Sequence, residues 1–109
     1  MSNQYVFIEK TTSETLSCPN YLIHKIADLS VLTPYAVYVA KTMLRFDPSA
    51  EFLLINMDHL ADSADTLVNL SPKALSDQID ATNLKNRVRR YSPEDGFQYV
   101  ISSQPNLAD

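Results

Sequence analysis

The chain has 109 residues, 45 % of them apolar, and a formal charge of −4 from 9 basic and 13 acidic side chains. That is the length of one domain and the composition of a globular chain, which excludes disorder and a two-domain arrangement. A single glycine, Gly96, stands where average usage of about 7 % would supply several, so neither a Walker loop nor a dinucleotide-binding fingerprint is present. No Gly-x-Ser-x-Gly nucleophile elbow occurs either.

Gln4–Glu9 is β-branched and aromatic and predicts a short strand, apolar on both sides and therefore covered on both. Lys10–Ser17 is polar and reads as a loop, with Ser17 as a cap and Pro19 in the first turn of a helix. Leu22, Ile23, Ile26 and Leu29 fall at helical spacing and predict that helix over about 19–30. Thr33-Pro34 is the next start signal, for a helix whose stripe runs from Ala36 to Leu44 and which ends near Phe46. Asp47-Pro48 repeats the signal. Ala50, Leu53, Leu54, Met57, Leu60, Ala61 and Ala64 then share one helical face, which predicts a helix over about 48–66. Ser71-Pro72 starts a short helix that loses register at Asp80-Ala81-Thr82. Leu84, Val88 and Tyr91 form a new stripe and predict a helix over about 83–91. Ser92–Gly96 is a turn, Phe97–Ser102 alternates as a strand, and the polar tail from about 103 is expected to fray. The expected fold is α+β, mainly helical. It is one domain with about five short helices, and its N-terminal and C-terminal strands pair in a small sheet.

Charge is segmented. Residues 51–80 hold six acids and one base, and residues 81–91 hold four bases and no acid. The predicted helix Asn83–Tyr91 carries Lys85, Arg87, Arg89 and Arg90. With the helix before it and the strand after it, the segment over about 71–102 has a loose winged-helix look. That resemblance implies a DNA-binding transcriptional regulator using the basic helix at 83–91. The bases flank the predicted buried stripe on two sides, whereas a groove-reading helix needs them on one face, and the chain as a whole is acidic. The leading expectation is therefore a small regulatory protein that binds another protein. Its contact residues would be Lys85, Arg87, Arg89 and Arg90 on the basic helix, and Glu51, Asp58, Asp62 and Asp65 on the acidic one. Nucleic acid is the second choice of partner, and an open first strand would allow a homodimer.

No catalytic, cofactor-binding or metal-binding residue is assigned. His24 and Asp28, four apart on a predicted helix, have the spacing of a surface contact as much as of a proton-transfer dyad. Asp58, His59, Asp62 and Asp65 resemble an oxygen-rich cation cluster but lack an EF-hand loop, and a solvated acidic face explains them. Cys18 and His24 make no zinc-ligand pattern. Tyr21, Tyr35 and Tyr38 lie near helix starts, where they suit either an interface or the rim of the core. The lone cysteine fits a reducing compartment, no secretory signal or membrane span is read, and a cytoplasmic location is expected.

Overall fold

Five consecutive residues of the first strand, from Tyr5 to Glu9, are buried, so both sides of it are covered. The computed structural model describes residues 4–11, 19–61 and 63–99. Strand β1 is Gln4–Thr11, β2 Asn20–Asp28, β3 Glu51–Asn56, β4 Val88–Ser92 and β5 Gly96–Tyr99. They form one sheet in the order β2-β1-β3-β4-β5, with every neighbouring pair antiparallel. The helices are α1 (Leu29–Leu44), α2 (Ala64–Leu67) and α3 (Pro72–Leu84), with a 3-10 turn at Met57–His59. Tyr5, Phe7, Phe52 and Leu54 pack against Leu32, Ala36 and Ala40 of α1. Val6, Ile8, Leu53, Ile55 and Val88 pack against Leu67 of α2 and Leu75 and Ile79 of α3. Helices therefore cover opposite faces of a central antiparallel sheet.

This architecture corrects the expected fold. The sheet dominates, with five strands instead of two and three α-helices instead of five among the described residues. The terminal strands do not pair with each other, because β3 and β4 lie between β1 and β5. The tail from 103, like Cys18 and the cap at Ser17, lies outside the described residues.

Each misread segment has a physical reason. The region expected as a helix over 19–30 is strand β2. Its register against β1 shifts between Phe7, which pairs with Lys25, and Ile8, which pairs with Ile23. His24 is thus the extra residue of a β-bulge. The bulge puts Ile23 and Ile26, three apart, on the same face, and that spacing imitates a helix turn. The region expected as a helix over 48–66 is broken into β3, the 3-10 turn and α2. Asp47 does not cap a helix. Its carboxylate accepts from the Ser49 backbone N–H (3.1 Å) and hydroxyl (2.6 Å), which folds the chain into a turn that delivers Glu51 to β1. Phe52–Ile55 then lies in an interior strand buried on both faces, where a continuous apolar run is the normal pattern.

Helix α1 begins at Leu29, before the expected Thr33-Pro34 start, and holds Pro34 inside it. The carbonyl that Pro34 leaves without a donor belongs to Ser30, which is exposed to solvent. Helix α3 starts as expected: Ser71 accepts from the Ala74 N–H (3.3 Å) and Pro72 opens the first turn. It continues through Asp80-Ala81-Thr82 and buries Leu75, Ser76, Ile79 and Thr82.

The basic helix expected over 83–91 does not form. Asn86 adopts a left-handed φ of 58°. The Arg87 N–H bonds to Thr82 O (3.2 Å) and the Asn86 N–H to Asn83 O (2.9 Å), a Schellman arrangement that ends α3 at Leu84. Leu84, expected in the core, is 78 % exposed. Asn86→Gly should be neutral or slightly stabilising in thermal melts, whereas Asn86→Val should lose about 1–2 kcal/mol, since a β-branched residue resists positive φ. Equal melting of the two variants would contradict this account of the stop. The β4–β5 turn forms as expected, with Gly96 at φ 73° and no atom near the place of a Cβ, so glycine is there for its backbone freedom. Among the described residues no helix is long and apolar enough to cross a membrane.

Candidate functional site

Because Arg89 and Arg90 are neighbours on a strand, their side chains leave the sheet on opposite faces. Arg90 Nε lies 3.3 Å from Glu51 Oε1, an ion pair without hydrogen-bond geometry, and Lys10 Nζ lies 4.0 Å from the other oxygen. The Arg89 guanidinium stacks between the rings of Tyr5 (5.3 Å) and Tyr99 (4.8 Å). A hydrogen bond to Arg89 pulls the Tyr99 phenol below its ordinary range. Burial outweighs the same charge at Tyr5 and pushes that phenol up. Arg89, Arg90 and Glu51 therefore act inside the sheet, joining β1 to β4 and β5 and bridging β3 to β4. Of the expected contact residues, Lys85 and Arg87 are exposed at the end of α3, Asp58 is exposed in the 3-10 turn and Asp65 on α2. They do not share one helix face. Asp62 lies outside the described residues.

His24 does not pair with Asp28. The bulge turns its ring over Phe7 (5.1 Å between centroids) and brings Nε2 to 2.9 Å from Glu9 Oε1. The partner lies fifteen residues away on a neighbouring strand, so no local spacing pattern reveals it. Asp58, His59 and Asp65 do not converge with any third group into a metal-binding cluster among the described residues. Tyr21 is buried, Tyr38 is exposed, and Tyr35 packs edge-on to Phe7 with Lys25 above its ring.

Strand β2 ends the sheet. This strand of nine residues has β1 on one side and, among the described residues, no strand on the other. The bulge and Lys25 blunt its second half against pairing, as edge strands commonly are. Its first half, Asn20–Ile23, carries no such guard. Alongside lies a groove of about 210 Å³, lined by Tyr21, Leu22, Ile23, Leu67, Val68, Leu70 and Leu75. Leu22 (53 % exposed) and Val68 (56 %) are the most exposed of these. An edge strand beside a groove can hold an extended segment through main-chain hydrogen bonds and alternate side chains. Sequence reasoning missed this site because β2 was read as a helix, which has no free backbone edge. No protein-family model, curated protein or solved structure matches the chain.

Proposed function

We propose that this chain is a small, non-enzymatic protein-binding module of the cytoplasm. It takes an extended, apolar segment of another protein along the first half of β2. The observation that supports the reading is the place of β2 at the end of the sheet among the described residues, with Asn20–Ile23 running beside the groove that Leu22 and Val68 help to line. The bound segment adds a sixth strand to the five of the sheet. Every second side chain of that segment enters the groove, while its backbone runs along β2 as a neighbouring strand would. The surface used is thus a sheet edge, and the exposed Lys85 and Arg87 contribute at most to encounter rates.

Selection from a library of unstructured random peptides tests this. Selected peptides should carry alternating apolar residues and should slow amide exchange at Asn20–Ile23. Leu22→Asp with Val68→Asp should weaken them at least about tenfold, since each buried anchor is worth about 1.5–3 kcal/mol. Arg87→Glu should leave equilibrium affinity within about twofold. Peptides that protect a different surface, or that ignore the Leu22 and Val68 substitutions, would overturn the proposal.

A further inference from the structure

A second groove lies between the 3-10 turn and the C-terminal half of α3, away from β2. It measures about 190 Å³ and is lined by His59, Ala61, Gln78, Ala81, Thr82 and Lys85. We propose that it binds a single carboxylate group, held by the His59 imidazole and the Lys85 ammonium.

His59 Nδ1 is buried and makes no hydrogen bond among the described residues. A buried polar atom without a partner is costly, and it marks a place where an external group belongs. Lys85 is exposed and enters no ion pair among the described residues. Its position is set by the end of α3, where its own N–H bonds to Thr82 O (3.1 Å).

The remaining polar groups of the groove are already committed in ways that define the ligand. The Thr82 hydroxyl donates to Gln78 O (2.8 Å), so it offers a ligand only lone pairs. Gln78 Oε1 accepts from the Ala61 N–H (3.2 Å), which ties α3 to the wall opposite. The carbonyls of Thr82 and Asn83, which would repel an anion at a helix C-terminus, accept from Lys85, Arg87 and Asn86. His59 and Lys85 thus supply two donors and one full positive charge, which match the two oxygens and single charge of a carboxylate. A phosphate dianion would lack a second counter-charge. Ala61 and Ala81 give the apolar part of a short-chain acid a surface to rest on.

Free small acids and peptides both carry carboxylates, and the experiment separates these sources. Imidazole resonances of the full chain are followed by NMR at constant pH. Acetate, propionate, inorganic phosphate, and a short peptide with a free or an amidated C-terminus are titrated in turn. The expected result is a saturable shift at His59, with His24 unchanged as the internal control, and a dissociation constant on the order of 1 mM for the preferred acid. A response to acetate and propionate assigns a free acid. A response confined to the free C-terminus assigns a peptide. Lys85→Met should weaken binding at least tenfold, about 1.4 kcal/mol, and Lys85→Arg should restore most of it. Leu22→Asp with Val68→Asp should leave it untouched, so this site stands or falls apart from the β2 edge. The proposal is overturned if no acid or peptide moves His59, if phosphate binds as well as the acids, or if Lys85→Met binds like the parent.

Discussion

Phe7→Ala should remove about 3–5 kcal/mol of stability, a large share of the roughly 5–15 kcal/mol that a small domain possesses. Phe7 is fully buried on the α1 face of β1. Its ring stacks on His24 (5.1 Å) and Phe52 (5.9 Å) and meets Tyr35 and Phe97 edge-on, each at 6.1 Å. One side chain thus touches β2, β3, β5 and α1. Removing it leaves a cavity that four different elements would have to move to fill, which places the loss toward the upper end. Phe7→Leu keeps part of the volume and should cost less. Phe46→Ala, at a site 81 % exposed, should stay within about 0.5 kcal/mol of the parent. Urea unfolding reads all three through the midpoint. A Phe7→Ala midpoint close to that of Phe46→Ala would refute the packing described.

His24→Ala should cost about 3–5 kcal/mol, because it leaves the Glu9 carboxylate buried without its partner. The two side chains are only 19 % and 10 % exposed, and their 2.9 Å contact joins β1 to β2. His24→Gln retains a donor for Glu9 and should cost less. The double variant Glu9→Met, His24→Leu should recover most of the loss, since an apolar pair of similar volume removes the unpaired charge. The two single substitutions are therefore expected to be strongly non-additive. Additive losses in a double-mutant cycle would show that the pair contributes nothing as a pair.

Some of this protein is written locally. The β-branched and aromatic run Tyr5–Ile8 specifies a strand covered on both faces, and it is one. Ser71-Pro72 specifies a helix start, and Ser92–Gly96 a turn, because a cap, a fixed φ and a glycine act through their own backbone. Asn86 is a local signal that the stripe of Leu84, Val88 and Tyr91 obscured: an asparagine that takes positive φ readily ends a helix as glycine does. Reading the segment as a basic helix set the four cations on the two sides of one buried stripe. The strand instead sends Arg89 and Arg90 to opposite faces.

By itself the sequence determined that no glycine-rich phosphate-loop motif is present, and where β1, the start of α3 and the β4–β5 turn lie. Only the tertiary structure decided that 20–28 and 51–56 are strands. Helical hydrogen bonds close within four residues, so their signals sit in the local pattern. A strand is held by partners far along the chain, here Tyr5 against Asn56 and Leu54 against Arg89, and its preference depends on that context. The bulge at His24 adds one residue to β2 and thereby turns a period of two into a spacing of three, which no local rule separates from a helix turn. The same non-local pairing chose Glu9 for His24, and Tyr5 and Tyr99 for Arg89.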